Sequence, residues 1–306
     1  MSLASPTVRP ASRRGLLSAS ARSAAWGYAF VAPSLLGFLA FALYPMARSI
    51  VLSFQHFTLR QTDWVGLDNY ETLLANPIFY VVLKNTLVYA LLIVPVGVAL
   101  SLLLATLIFR LPGPAQVFFK SAYYLPVVTS GVVLSLIWLY LYDPAFGLLN
   151  YLLGQLGLAP VLWLSNPATS LPSLALMYHA SHWGGSVILL TASMGGIPDH
   201  LYEAARLDGA SPLRQVLTIT LPLLRPAIAY VAITGTIASL QIFTEIFLMT
   251  NGGPNFATTN LVYFIYERGF IMFDFSMASA VATILLLVTA AIAIGQFRLF
   301  ATDVEY

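Results

Sequence analysis

The sequence predicts an all-α integral membrane protein that crosses the bilayer six times, and three observations predict it. Apolar residues make up 59% of the 306 and charged residues only 8%, with a mean hydropathy of +0.83. Soluble domains carry roughly 25% charged residues. Six nearly uninterrupted apolar runs approach the ~20 residues that a helix needs to span the hydrocarbon core. The basic residues, finally, divide unequally between the connections on the two sides.

The runs are Trp26–Ile50, Thr86–Phe109, Ala122–Tyr142, Leu171–Ile197, Pro226–Met249 and Ser276–Gln296. The first is too long for the apolar core of a cleavable leader and reads as a permanent span. With the N-terminus inside, the inner side holds Arg9, Arg13, Arg14, Arg22, Arg110, Lys120, Arg206, Arg214, Arg225 and Arg298. The outer side holds Arg48, Arg60, Lys84 and Arg268. Lys and Arg accumulate in cytoplasmic loops, so both termini are expected in the cytoplasm. Residues 1–25, rich in Ser, Ala, Arg and Pro, read as a flexible cytoplasmic arm, 26–298 as the transmembrane domain and 299–306 as a cytoplasmic tail. A formal charge of +2 gives no reason to expect nucleic acid, and the lack of cysteine excludes disulfides, thiolate metal sites and cysteine nucleophiles.

On the outer side, Asp68 and Glu71 have the spacing of a helix N-cap and its reciprocal partner. "GLLNYLLGQLGL" in 143–170 is too short to cross and is expected to lie at the interface or re-enter. The aromatics of "TTNLVYFIYERGF" in 252–274 suit the headgroup boundary. Pro33, Pro95 and Pro126 sit inside apolar runs, where each removes a backbone hydrogen bond and favours a kink. The pairs Gly131/Ser135 and Gly235/Ser239 have the spacing that lets helix backbones approach.

One inner connection is unusually polar and well punctuated. Asp199 after Pro198 reads as the N-cap of a helix through "HLYEAARL", with Asp199 and Glu203 near the positive end of its dipole. Gly209 supplies the left-handed conformation that stops a helix. Ser211 and Pro212 start the next one as cap and first residue, with Leu213, Val216, Leu217 and Thr220 expected on one side. Ala204 and Ala205 leave a thin helix beside a projecting carboxylate, which suits a protein groove better than lipid.

The stretch "EAARLDGASPLRQVLTITLP" resembles the EAA loop of binding-protein-dependent ABC importer permeases, with Glu203, Ala204, Ala205, Gly209, Ile219, Leu221 and Pro222 at the motif positions and Val216 where an aromatic is often found. "VGLDNYETLLANPIFYVVLKNTLVYALLIVP", "YYLPVVTSGVVLSLIWLYLYDPAFGLLNYLLG" and "MTNGGPNFATTNLVYFIYERGF" are similar to segments of the carbohydrate-uptake subgroup, the maltose- and glycerol-phosphate-type permeases. The resemblance implies a type I importer fold in a prokaryotic inner membrane. It also implies a second homologous permease subunit, two cytoplasmic ATPase subunits and an extracytoplasmic solute-binding protein. Residues 198–222 would hold the coupling helix, with Glu203 as its main polar contact, Gly209 as a close-approach turn and Asp208 supporting that turn. ATP and Mg would be used by the partner ATPases. This chain's lysines, Lys84 and Lys120, stand in no phosphate-binding loop.

Candidates for the substrate pathway are the polar and aromatic residues of the fourth and fifth runs: Tyr178, His182 and Trp183, then Ser239, Gln241 and Glu245. Tyr178, His182 and Gly185 are spaced to share a helical face, as are Gly235, Ser239 and Ile242. A charge at the bilayer centre costs about 3 kcal/mol on insertion scales, so such groups face protein or water. Helix–helix hydrogen bonding is the plain alternative for any one of them. His179 and His182 could suggest a metal pair, but no carboxylate or cysteine accompanies them within that helix, so polar packing is the expectation. A gradient-driven secondary transporter is the competing function, and a membrane enzyme lacks an assembled catalytic set.

Overall fold

The computed structural model describes residues 14–58 and 61–300, so Arg9, Arg13, Arg60, the first half of the expected arm and residues 301–306 of the expected tail lie outside the described residues. The chain divides into two units, one ending at Val51 and the other starting at Leu52. The first unit is helical from α1 (Arg14–Phe38) through a π-turn at Leu39–Leu43 into α2 (Tyr44–Leu52). Helix therefore already runs through 14–25, within the stretch expected as an arm. Pro33 sits inside α1 without ending it, and Trp26–Leu52 is long and apolar enough to cross a membrane.

The second unit opens with a feature the all-α reading omitted, an antiparallel hairpin of β1 (Gln55–Phe57) and β2 (Thr62–Trp64). Buried Asn69 holds its entry, donating from Nδ2 to the carbonyls of Ser53 (2.9 Å) and Gln55 (3.0 Å). Asn69 belongs to α3 (Asp68–Ala75), which starts one residue earlier than a capping box at Asp68 would require. Leu67 occupies the cap position with no side-chain bond, and Asp68 and Glu71 both lie in the first turn. The expected reciprocal cap is absent.

Asparagine followed by proline starts two of the long helices. Asn76 accepts from the Ile78 amide at 3.0 Å and opens α4 (Pro77–Phe109). Asn166 accepts from Ala168 at 2.9 Å and opens α8 (Pro167–His182). A side-chain oxygen satisfies an orphan amide, and proline has no amide to lose at the first position. This cap lets α4 begin at Pro77 rather than Thr86 and run unbroken through Pro95. Lys84 and Asn85 are thus helical, and Asn85 donates to the carbonyls of Phe256 (2.7 Å) and Thr259 (3.1 Å).

Two apolar runs are not single helices. The third consists of α5 (Gly113–Val128) and α6 (Gly131–Leu141), bent by 97° at the break. Pro126 lies in the last turn of α5, and Thr129 and Ser130 are extended enough to end it. The fourth is divided at Trp183 into α8 and α9 (Gly184–Met194). Among the described residues four runs qualify as whole spans, Trp26–Leu52, Pro77–Phe109, Arg225–Met249 and Phe275–Phe300, with a fifth if the bent pair counts as one. Between them α7 (Leu148–Gln155) is too short to cross; Asn150 ties its loop by accepting from the Val161 amide and the Trp163 indole, both at 3.0 Å.

The remaining helices are α10 (Asp199–Leu207), α11 (Pro212–Gln215), a π-turn at Val216–Thr220, α12 (Leu221–Leu223), α13 (Arg225–Leu240), α14 (Thr244–Met249), α15 (Leu261–Tyr266), a π-turn at Glu267–Ile271 and α16 (Phe275–Phe300). One buried cluster joins α4, α8, α9 and α13 around Tyr89, Ile93, Met177, Trp183, Leu190 and Val231. A second joins α3, α4, α15 and α16 around Leu73, Phe79, Leu261, Phe264 and Val281. The apolar side chains outside these clusters, such as Leu91, Leu103, Leu136 and Leu287, are exposed on long helices, as expected where the solvent is hydrocarbon.

Candidate functional site

The polar connection at 198–222 folds as a helix–turn–helix. Pro198 holds the cap position and Asp199 is the first helical residue, so the helix starts one place earlier than the sequence suggested, with no side-chain cap. The stop is as expected. Gly209 has φ +75°, its amide donates to the Arg206 carbonyl (3.1 Å), and the Ala210 amide reaches back to Ala205 (2.9 Å). This pair of bonds is the Schellman arrangement, which satisfies carbonyls left open at a helix end. Ser211 then accepts from the Arg214 amide at 3.3 Å, with Pro212 at the first helical position.

The hairpin presents two faces. Leu201, Tyr202, Ile219 and Leu223 pack against the membrane-side core, and Tyr202 and Thr220 share a hydroxyl–hydroxyl bond of 2.9 Å. On the other face Glu203, Ala204, Asp208 and Gly209 are exposed, as is Leu207 at 89%. Ala205, Leu221 and Pro222 are half-buried. The expected single stripe in the second helix is split: Val216 and Thr220 turn inward while Leu213 and Leu217 face out. Residues four apart share a face, so Leu213 with Leu217 and Val216 with Thr220 form two neighbouring rows, and the boundary between the hairpin's two faces runs between them. A Cβ at Gly209 would meet nothing among the described residues within 4 Å, so among them backbone conformation alone demands glycine here.

The second cluster forms where two helix breaks meet. Tyr178 and His182 lie one turn apart on α8 with their rings stacked at 4.0 Å and nearly parallel. His182 Nε2 stands 3.4 Å from Oε1 of Glu245, which is buried in the first turn of α14. Trp183 occupies the break between α8 and α9 and is wedged between two glycines. A Cβ at Gly97 of α4 would fall 1.9 Å from the indole, and one at Gly235 of α13 would fall 3.0 Å from it. The small residue at 235 therefore admits a tryptophan ring rather than a helix backbone. Close backbone approach occurs instead at Gly184, where a Cβ would stand 2.0 Å from the Tyr123 carbonyl.

A cavity of about 210 Å³ opens beside this cluster, lined by Tyr178, His182, Trp183, Ser186, Thr234 and Gly235 among others. The Trp183 indole nitrogen and His182 Nδ1 are buried with no hydrogen-bond partner among the described residues. His179 does not pair with His182: its Nε2 donates to the Leu92 carbonyl at 3.2 Å, toward α4. Among the described residues no group of three His, Cys, Asp or Glu gathers as a metal would need.

The structure thus unites Tyr178, His182, Trp183 and Glu245 but separates the other two pathway candidates. Ser239 is fully buried with its hydroxyl bonded to the Thr236 carbonyl of its own helix (2.9 Å), and Gln241 is exposed at the break before α14. The contributions of Gly97, Ser186 and Thr234 escaped sequence reasoning. Gly97, two positions after Pro95 in an otherwise large-residue run, carried the one readable signal.

No family model matches the chain. It is 34% identical over 285 residues to the probable ABC transporter permease protein YurN of Bacillus subtilis, covering 91% of this chain and 97% of that protein. It is 32% identical over 274 residues to the arabinooligosaccharides transport system permease protein AraP of the same organism, covering 89% and 87%. Its fold is similar to a chain in the crystal structure of a bacterial alginate ABC transporter in complex with an alginate pentasaccharide-bound periplasmic protein. That match has a TM-score of 0.81 at 25% identity and covers 92% of this chain and 98% of that one.

Proposed function

The chain belongs to the ABC transporter permeases, and from that membership we propose that it forms half of the translocation pathway of an ATP-driven importer for a carbohydrate handed over by a solute-binding protein. A permease subunit is a transport component and not itself an enzyme, so nucleotide chemistry falls to partners. In this reading the chain sits in a prokaryotic inner membrane with both termini in the cytoplasm. It crosses six times, counting the bent third run and the divided fourth as one span each. A second permease subunit supplies the other half of the pathway, two cytoplasmic ATPases bind and hydrolyse MgATP, and no cofactor is held here.

The observation that carries the mechanism is the two-faced hairpin. Its inner side is packed and hydrogen-bonded to the membrane-side core. Its outer side offers the Glu203 carboxylate beside Ala204 and exposed Leu207 and Leu213. Exposed apolar side chains grouped with a carboxylate fit a groove in another protein. Seated in an ATPase, the hairpin moves with it. Its covalent continuation through α12 into α13, and through Ile197 back into α9, passes that movement to the break cluster.

The cargo reading rests on chemistry. A saccharide ring has an apolar face that stacks on aromatics and a rim of hydroxyls that need partners. Tyr178, His182 and Trp183 offer aromatic surface, and the unpaired indole N–H offers a donor. At about 210 Å³ the cavity is smaller than the roughly 300 Å³ or more of a complete small-molecule pocket, which suits a half-site completed by a partner subunit. The names of relatives such as AraP support a sugar cargo. The ion-gradient alternative is not favoured by the family. Co-purification tests the reading: the tagged chain should retain an ATPase and a second permease, and proteoliposomes should take up sugar only with ATP and the binding protein. Uptake driven by an ion gradient without ATP would overturn it.

A further inference from the structure

A second cavity, also about 210 Å³, lies on the inner side of the hairpin, away from its exposed face and from the break cluster. Its apolar wall includes Phe109 at the end of α4 and Met194 at the end of α9; its charged wall includes Arg110, Arg206 and Asp199. Both guanidiniums are held by single backbone contacts, Arg110 Nη2 to the Pro212 carbonyl (3.3 Å) and Arg206 Nε to the Tyr202 carbonyl (3.2 Å). Among the described residues the ion pair found is His182–Glu245, so Asp199 neutralises neither arginine. Two arginines therefore share one small cavity with a single carboxylate that pairs with neither, which leaves the cavity net positive, and their remaining N–H groups are available to a ligand.

Depth and chemistry narrow what that ligand is. The apolar length of α4 ends at Phe109, so Arg110 stands where hydrocarbon gives way to headgroups. Basic pockets between helix ends on the cytoplasmic side are sites for anionic headgroups. The planar guanidinium fork matches phosphate oxygens two at a time. We propose that this cavity binds a phosphate-bearing anion between Arg110 and Arg206, and that the anion clamps the end of α4 to the hairpin. Arg110 already reaches the hairpin at Pro212; an anion shared with Arg206 ties the same helix end to α10 as well. The phosphate comes from an acidic phospholipid or from solution. The inference rests on the reading of the hairpin as cytoplasmic and motor-facing, because the clamp would set how freely the hairpin follows the ATPase.

The test uses the complete transporter in nanodiscs, without nucleotide, and follows amide hydrogen exchange in 198–222. Bilayers are phosphatidylcholine alone, phosphatidylcholine with phosphatidylglycerol, or phosphatidylcholine with inorganic phosphate added. Phosphatidylglycerol should slow hairpin exchange by up to about 30-fold, the factor that corresponds to about 1 kcal/mol for each of the two arginines near an anionic surface. The Arg110→Gln/Arg206→Gln pair should lose that slowing and the Arg110→Lys/Arg206→Lys pair should keep part of it, which separates charge loss from misfolding. Slowing by inorganic phosphate alone supports the site with a soluble ligand. Equal exchange in all three bilayers, or a glutamine pair that responds like the parent, overturns the proposal. ATPase retention in each purified sample reports separately on the motor-facing reading.

Discussion

Replacing Gly209 with a graded set of residues isolates what the hairpin turn contributes to coupling. Its φ of +75° lies in the left-handed region, where a residue bearing a Cβ costs roughly 1–2 kcal/mol. A Cβ built there meets no atom of the described residues within 4 Å, so no steric cost arises from them. Gly209→Ala therefore reduces the population of the native turn by about 5- to 30-fold relative to alternatives, since each 1.4 kcal/mol is a factor of ten. Gly209→Asn pays less, because asparagine tolerates this conformation. Gly209→Val pays most, being β-branched.

The assay is ATP-dependent uptake and binding-protein-stimulated ATP hydrolysis in proteoliposomes, with membrane insertion checked alongside. Activity should fall in the order Gly, Asn, Ala, Val while insertion stays constant, because the turn is not part of a span. If the Asn variant is as damaged as Val, the volume of the side chain matters, which is the outcome expected of a turn seated against a partner protein. A Val variant with full transport and full stimulation would refute the reasoning, since a lever whose turn can be unmade without loss is not a lever.

Three further outcomes follow from the packing. Gly97→Ala should lower the thermal stability of the purified chain by the 1–3 kcal/mol typical of overpacking, as its Cβ would stand 1.9 Å from the Trp183 ring; pairing it with Trp183→Phe should recover part of the loss in a thermal melt. Ser239→Ala should leave uptake unchanged and lower stability by no more than the roughly 1 kcal/mol of one hydrogen bond, because that hydroxyl serves its own helix. Glu245→Gln should leave ATPase retention intact and lower uptake; unchanged uptake would remove the break cluster from the pathway.

The parts of the fold that were legible in the sequence are those set by local chemistry. Apolar length marked Trp26–Ile50, Thr86–Phe109 and Ser276–Gln296 as spans, and each lies within a helix long enough to cross, because hydrocarbon leaves a backbone no alternative to helix. Gly209 and Ser211-Pro212 announced their turn because those residues have few other uses. The misread places depend on tertiary partners. Trp183 interrupts a run that composition reads as continuous, and it does so against Gly97 and Gly235, which lie on two other helices. The hairpin at 55–64 was hidden because the side chain that pins its entry, Asn69, comes from the following helix. The rows Leu213/Leu217 and Val216/Thr220 are neighbours on one helix, and which of them is covered depends on the helices packed against the hairpin rather than on its own periodicity.

The candidate site lies where the helices are broken, and the reason is energetic. A break within hydrocarbon exposes backbone groups that cost several kcal/mol each if unpaired, so it persists only where protein or water supplies partners. Here the break at 241–243 is served by Asn260, whose Nδ2 donates to the Ile242 carbonyl at 2.5 Å while its Oδ1 caps α15 through the Tyr263 amide. The break at Trp183 is filled by the indole itself. His182 and Glu245, one beside each break, meet at 3.4 Å and join the two interruptions across the bundle. An uninterrupted helix pair has no such freedom, because its polar groups are already committed along its axis. Two broken spans that touch can change their mutual angle without breaking a regular ladder, and the cavity between them can widen or close. In the proposed mechanism a movement imposed on the hairpin between α9 and α13 is taken up at Trp183 and at 241–243, the places where the polar and aromatic side chains gather.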